Sequence, residues 1–468
     1  MECARQEGQH LDRLIEKGTD VSVTQDLGAF VARVGIEGTP QEARSVAKTG
    51  FADCIATMVA GRREAAVTTL QDALAPFSPG RAQLWFGESR VAASDAALLN
   101  GVAAHALDFD DVALRGHPSA VLVPAIVAAG QELGSSGAQM LDAYVAGYEV
   151  WANLVDRESD IHHIKGWHPT GIFGAIGAAA ACAALRRLTP EQCSHALGLG
   201  ASQSAGLMSN FGSMAKPFHA GRAAQAGVLS ARLAGAGFTA SADALEHPQG
   251  FLVAVSPKGA VDRERPVGPL GQTWQIVGRR MNIKKYPTCY YTHRALDGML
   301  DLLAHAPIDP RDVERVDVTM SQEHATVLRN HRPVSALEAK FSIEFAMAGA
   351  LVARKLGLVE LDDAFVQSEA VQRLYQRVHV TISTTYDPDT PGAAFADEVA
   401  VTTTDGRRHT IGPVHQARGH AQVPLTTADL RAKFVDCLQY GRFEGDAVAF
   451  FDRINAMEQM AGPGLATA

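Results

Sequence analysis

Apolar residues recur at three- and four-residue intervals from Thr24 to about Leu252, with candidate capping residues ahead of the stretches: Thr24 before Leu27 and Phe30, Thr39-Pro40 before Ala43 and Val46. That period is the helical one, and strand signals are scarce in this part of the chain. Thr189-Pro190-Glu191-Gln192 combines an N-cap threonine, a first-turn proline and a capping-box glutamine, so it opens a helix running through Leu199. Stretches 174–184 and 221–237 are rich in alanine and glycine, which lets helix backbones approach closely and predicts a compact all-helical body. The most apolar run, 171–185, falls short of the roughly 20 residues that span a bilayer. Its small side chains fit a closely packed core helix instead.

After Pro266 the period changes. Alternating β-branched residues predict strands at 274–283, 313–320, 377–383 and 398–404. The last ends in Asp405-Gly406, a type I′ hairpin signal, and continues as a strand at 407–411. Helices interrupt the set, one of them opened by a capping box from Ser335 to Glu338 and continuing through Phe341 and Phe345. Mixed elements of this kind make an α+β domain. An amphipathic helix at 427–438 then returns to helical texture, so the C-terminus is expected to complete the helical body. At 468 residues the chain exceeds what one core usually organises. The expected fold class is mainly α with an α+β second domain: a loose tail at 1–23, a first helical segment at 24–272, the α+β domain at 273–412 and a C-terminal helical segment at 413–468.

Composition narrows the function. A formal net charge of -9 supplies no basic face for a phosphate backbone, so no nucleic-acid partner is expected, and a chain of this charge that binds an anion must gather its cations locally. The six cysteines, Cys3, Cys54, Cys182, Cys193, Cys289 and Cys437, have no CxxC spacing, which argues against a zinc knuckle or a disulfide framework and fits a reducing cytoplasm. The first 17 residues are charged and lack an apolar core, unlike a secretory signal. A cytoplasmic protein without membrane association is therefore expected.

Four segments carry candidate chemistry. The first runs from Asn100 through His105, Asp108, Asp110 and Asp111 to Arg115-Gly116-His117-Pro118-Ser119. Three carboxylates in four positions can bind a metal, form an acid/base pair or cap a helix, and clustered aspartates at a helix end often only cap. The favoured pair is Asp108 with His117, because a carboxylate that holds an imidazole in one tautomer tunes a proton carrier near neutral pH. The second segment, His162-His163-Ile164-Lys165-Gly166-Trp167-His168-Pro169-Thr170, holds three histidines in seven residues but lacks the His-x3-His spacing of helical zinc sites. The third, 210–222, holds Lys216, His219 and Arg222; the fourth, 283–294, holds Lys284, Lys285, His293 and Arg294. Each sets cations in a short loop ahead of a helix, where N–H groups also favour anions. Alone, each is equally read as a solvated turn. Cys289 has no evident activating partner, so it is read as a packing or polar-lining residue.

As a set these segments resemble the MmgE/PrpD family, which includes 2-methylcitrate dehydratase, cis-aconitate decarboxylase and iminodisuccinate epimerase. The likeness runs from about Thr24 to about Asp452. It is carried by NGxAAHxxDFDD from Asn100, Gly-His-Pro at 116, Gly-Trp-His-Pro at 166, Lys-Pro-x-His-x-Gly at 216, Lys-x-Tyr-Pro at 284 and Glu338-Ala339-Lys340-Phe341-Ser342. The wording around Arg115, Gly166 and Phe211 looks nearest to the epimerase. The resemblance implies a large helical domain of N- and C-terminal segments, an α+β lid domain, a homodimer, a site at the domain interface, and no metal or organic cofactor. Carried over by position, the family's site residues fall on Asp108, His117, His168, Lys216 and Lys284. Val112 replaces a threonine that follows DFDD in the decarboxylase, and Val327 aligns with a site tyrosine, which argues against decarboxylation of cis-aconitate. His163 stands where the epimerase has a tyrosine proposed as a base, and the loop between Asp111 and Arg115 is shorter.

The expected chemistry is removal of a proton α to a carboxylate of a small di- or tricarboxylate, a lyase reaction like that of 2-methylcitrate dehydratase. Lys216, Lys284 and Arg115 are the expected carboxylate holders, His117, His168 and His163 the proton carriers, and Asp108 the orienting group. The alternatives are an epimerase acting on an iminodisuccinate-like substrate, a non-catalytic carboxylate-binding protein, and a metal hydrolase built on Asp108, Asp110, Asp111 and His117.

Overall fold

The computed structural model describes residues 22–388 and 392–462, so nearly all of the expected N-terminal tail lies outside the described residues. The chain divides into two compact units. The first takes the described residues up to Ala106, Asp110–Met281 and those from Phe443 onward; the second takes Leu107–Phe109 and Asn282–Arg442.

The first unit is built on the helix Pro169–Leu185, every residue of which is buried. Helices Ala215–Gly235, Gly137–Val155, Pro190–Ser202 and Pro118–Leu133 pack around it. Small residues make that packing possible. A Cβ placed on Gly227 would lie 2.3 Å from the Ala178 Cβ, and one on Gly101 would lie 2.7 Å from the Gly221 Cα, so these backbones meet where no side chain fits. The helix at Pro190 begins as its sequence predicts, with Thr189 and Gln192 completing a reciprocal capping box. Thr24 does not cap. The first helix among the described residues spans Val23–Glu37, and the Thr24 hydroxyl instead donates to Glu246 at 2.6 Å. A two-residue ribbon, β1 (Ala82–Gln83) against β2 (Arg90–Val91), is antiparallel.

The second unit holds a four-stranded sheet in the order β4-β3-β5-β6: β3 (Val313–Met320), β4 (Val378–Ile382), β5 (Glu398–Thr403) and β6 (Arg408–Thr410). β3 runs parallel to β4 and antiparallel to β5. Val316, Val318 and Met320 alternate inward from β3 into a core shared with Leu296, Phe345 and Leu351.

Several local expectations fail for physical reasons. The stretch 274–283 is not a strand: Gln275–Arg279 is a short helix whose Gln275 and Ile276 N–H groups donate to Glu149 at 3.1 and 2.9 Å, a tertiary cap that overrides the β-branched pattern. The helix expected from Ser335 through Phe345 is two, Ala336–Ala339 and Ile343–Ala353, because Ser342 caps a fresh start by accepting from Phe345 N at 3.1 Å. The Asp405-Gly406 turn is not type I′, since only Gly406 has positive φ (+80°); Gly406 N donates to Thr403 O and Thr403 N to Arg407 O, as in a type I turn closed by a glycine bulge. The division at 281/282 and 442/443 also differs from the expected bounds at 273 and 413. Helix Thr427–Tyr440 belongs to the second unit, and the return to the first begins with helix Ala447–Asn455, which packs on Gln41–Gly61.

Candidate active site

Two helices of the first unit start alike. His117 is the N-cap of Pro118–Leu133 and His168 the N-cap of Pro169–Leu185, each followed by a proline whose missing N–H is unneeded in a first turn. The two starts touch: His117 N donates to Thr170 Oγ1 at 3.2 Å, and a Cβ on Gly116 would lie 3.0 Å from that oxygen and 3.1 Å from the Trp151 ring. Gly116 is therefore required by space. The preceding hairpin, Ala113 to Gly116, puts Leu114 and Arg115 at φ of +51° and +60°, a left-handed turn that costs roughly 1–2 kcal/mol per residue and is pinned by Trp151 Nε1 donating to Leu114 O.

Within the first unit, the carboxylate set against His117 is that of Asp110. Asp110 Oδ2 lies 3.0 Å from His117 Nδ1, and both Asp110 oxygens lie within hydrogen-bond reach of His105 Nδ1, at 2.9 and 3.0 Å. Burial pushes the Asp110 carboxyl up, but the two imidazoles outweigh it and hold the group well below the usual carboxylate range. A charged Asp110 accepts from His105 Nδ1–H, which leaves His105 Nε2 as its basic nitrogen, and it stands as an ion-pair partner beside His117. Asp111 does something else. Its oxygens accept from Ser119 N at 3.2 Å and Ser119 Oγ at 2.9 Å, and burial with Asp53 and Asp110 nearby raises its carboxyl well above the usual range, the helix-capping role that clustered aspartates often have.

Around His168 the surroundings are cationic and aromatic. Its ring lies 6.0 Å from that of His105 and 4.8 Å, edge-on, from Phe211; His163 lies 6.2 Å from the same Phe211 ring, and the Lys216 ammonium 5.3 Å from it. Burial, followed by the charges of His105, Lys216, His117 and His219, pushes His168 well below its ordinary value, so it stands neutral. Burial with His117, Lys216 and Arg115 nearby pushes His163 down to about 4. Arg115 is exposed and spends its guanidinium on the carbonyls of Asp160 (2.8 Å) and Ser159 (3.4 Å).

Asp108 and Lys284 belong to the second unit. The buried Lys284 ammonium lies 3.1 Å from Asp108 Oδ1 and donates to Asp108 O at 2.6 Å. Asp108 adopts φ +52°, which an aspartate tolerates better than most residues. Lys433, from helix Thr427–Tyr440, ties the same pieces together: its ammonium donates to Phe109 O and Lys284 O, each at 2.8 Å, and sits 3.9 Å over the Phe109 ring. Cys289 is half-buried, outside any disulfide, and packed beside the second unit's core.

His105, Asp110 and His117 offer ligand atoms within 4.8 Å of one another, the right donor types for a divalent metal. The Asp110 hydrogen bond to His105 and its ion pair with His117 account for their spacing. Residues 25–264 match the model of the MmgE/PrpD N-terminal domain and residues 286–449 that of the MmgE/PrpD C-terminal domain. The chain belongs to the MmgE/PrpD family. Human cis-aconitate decarboxylase is similar to it, 27% identical over 357 residues that cover 72% of this chain and 71% of the human one. The cis-aconitate decarboxylase of Aspergillus terreus is 27% identical over 395 residues, 78% of this chain and 80% of its own. This MmgE/PrpD chain is an enzyme, like these relatives. Its helical unit brings together His117, His168, His163, Lys216 and Arg115, and its α+β unit brings together Lys284 and Asp108. Sequence reasoning assigned no role to His105 or His219 and did not single out Asp110, which lies against both His105 and His117. The only signal for them was their place inside segments already singled out.

Proposed function

We propose that this MmgE/PrpD enzyme is a cofactor-independent lyase of the dehydratase type that removes a proton α to a carboxylate of a small di- or tricarboxylate. The observation that carries the reading is His168: a buried imidazole kept neutral, 2% exposed, on a wall shared with the Lys216 ammonium. A neutral imidazole accepts a proton, and a fixed ammonium nearby stabilises the charge that develops on the enolate oxygen. His117, held by Asp110, is the second proton carrier, placed to protonate a leaving β-hydroxyl. Lys216 and Lys284 hold substrate carboxylates. The relatives' names support a tricarboxylate, while Val112 and Val327 weigh against decarboxylation in this chain.

A second reading is favoured by one observation. His163 shares the Phe211 ring with His168, so a second neutral imidazole is available for reprotonation from another side, and an epimerase acting on an iminodisuccinate-like dicarboxylate follows. We also propose a homodimer that covers the exposed apolar residues Ile164, Leu207, Met208 and Met214 of the first unit; sedimentation at a monomer mass rejects it. The deciding experiment for the function is proton NMR in deuterated buffer with a panel that includes 2-methylcitrate, citrate and cis-aconitate. Deuterium entering the α-position with loss of water supports the lyase, and entry with inversion supports the epimerase. No exchange with any compound leaves only carboxylate binding. Turnover is expected to survive EDTA, and loss of activity restored by a stoichiometric metal would move the assignment to metal chemistry.

A further inference from the structure

The lyase reading leaves a question of transport, because a proton taken by a residue 2% exposed must reach water and return. Among the described residues, His168 Nδ1 lies 3.1 Å from His219 Nδ1. His219 sits in the first turns of helix Ala215–Gly235, three residues after Lys216, and is half-buried where His168 is buried. The contact is built by the backbone. His168 N donates to Gly206 O at 3.0 Å, and a Cβ on Gly206, whose φ is +135°, would lie 3.2 Å from the His219 ring and 3.4 Å from the His168 Cβ. Only a glycine there lets the two imidazoles meet.

We propose that His219 is the proton port of this enzyme, a relay residue that acts through His168 and connects it to solvent. The inference rests on the reading of His168 as the base. In a hydrogen bond between two Nδ1 atoms one ring donates and the other accepts. With His168 as donor its Nε2 is bare and faces the substrate as the base, while His219 accepts at Nδ1 and carries its own proton on Nε2. The substrate C–H proton then goes to His168 Nε2, the His168 Nδ1 proton crosses to His219 Nδ1, and the His219 Nε2 proton leaves to water. The electron pair of the broken C–H bond stays on the substrate as an enolate. Reprotonation at carbon runs the same path backward, which returns both rings to their starting tautomers; after an elimination, in which His117 protonates the leaving hydroxyl, a proton from water enters at His219 Nε2 and the His168 Nε2 proton is lost to the emptied site, to the same end. No oxidant or other reactant is needed. The charges facing the pair are Lys216, His105 and His117, and all of them disfavour a proton resting on His168, so a proton that arrives there moves on.

The test is α-deuterium incorporation into 2-methylcitrate, citrate and cis-aconitate by the full chain, measured in weakly buffered heavy water and again with imidazole added. Wild type is expected to run at the same rate in both. His219→Ala, and His219→Gln as a second variant that keeps a polar side chain, are expected to lose about tenfold or more in kcat with KM unchanged, within the range for a positioned proton carrier. Added imidazole should restore most of that rate, as it should not for His168→Ala. Wild-type rates for both His219 variants in weak buffer would overturn the port, and so would a loss that imidazole does not restore, because a structural role is not repaired by a diffusible proton carrier. Absence of exchange in the wild type with every compound is a different failure: it overturns the lyase reading and the port with it.

Discussion

The chain starts two buried helices with the same His-Pro step and then surrounds the two histidines differently. His117 meets the carboxylate of Asp110, which also holds His105, whereas His168 meets Lys216 and other imidazoles and bonds to His219 rather than to a carboxylate. The local motif fixes where each ring sits, at the N-terminus of a buried helix. The partners fix what each ring does: a carboxylate stabilises a protonated imidazole and suits a proton donor, and a ring among cations remains an acceptor. In the proposed mechanism an acid and a base thus arise from one repeated sequence step, a division by environment that recurs in proton-transfer enzymes.

Removing the carboxylate breaks the comparison most severely. Asp110→Asn keeps the shape but removes the charge set against His105 and His117. Turnover is expected to fall by on the order of 10³–10⁴, as for a wrong tautomer in a catalytic triad, and unfolding free energy by about 3–5 kcal/mol for a broken buried pair. Exchange kinetics and denaturant unfolding measure the two, and a variant within tenfold of wild type would erase the distinction between the histidines.

Lys216→Met tests the cationic side. It removes a charge-assisted contact worth about 1.5–3 kcal/mol, so kcat/KM on the true substrate should drop by about tenfold to a hundredfold while the unfolding midpoint barely moves. Lys284→Met is expected to cost a similar factor in kcat/KM and also to destabilise the second unit, because Asp108 then loses its buried partner. Wild-type kinetics for both variants would reject them as carboxylate holders.

Acid acts on the same contrast with a smaller effect. His105 and His163 are held down to about 4, and His168 lies well below its ordinary value. Their folded-state values lie below the unfolded value of about 6.5, so the stability they contribute is full above that pH and is lost as pH falls from it toward the folded values. The unfolding midpoint should therefore fall between about pH 6.5 and about pH 4.5, and His168→Gln should flatten part of that fall. A midpoint constant over this range would mean that the rings are not held neutral. The smallest expected effect on exchange is that of His163→Phe, which keeps a ring against Phe211 but carries no proton. α-Deuterium exchange should persist within about threefold, while any epimerisation is abolished; retained epimerisation rules His163 out as a second base.

Much of the architecture was legible because it rests on short-range rules. The Thr189 capping box, the small-residue helix at 169–185 and the strands at 313–320 and 398–403 depend on neighbours within a few positions, and the structure places them within a residue or two of expectation. The misreadings have the opposite character. Stretch 275–279 is helical because Glu149, more than 100 positions away, caps it, and helix Thr427–Tyr440 joins the second unit because Lys433 reaches Phe109 and Lys284. The candidate site divides in the same way. Sequence alone determined that histidines 117, 163 and 168 and lysines 216 and 284 stand at or ahead of helix starts, since spacing and proline signals encode those starts. Only the tertiary structure decided that Asp110 lies against both His105 and His117, and that His219 lies against His168. The approach permitted by Gly206 sets the second pairing, and hydrogen-bond distances between residues 51 positions apart leave no periodic trace in a chain.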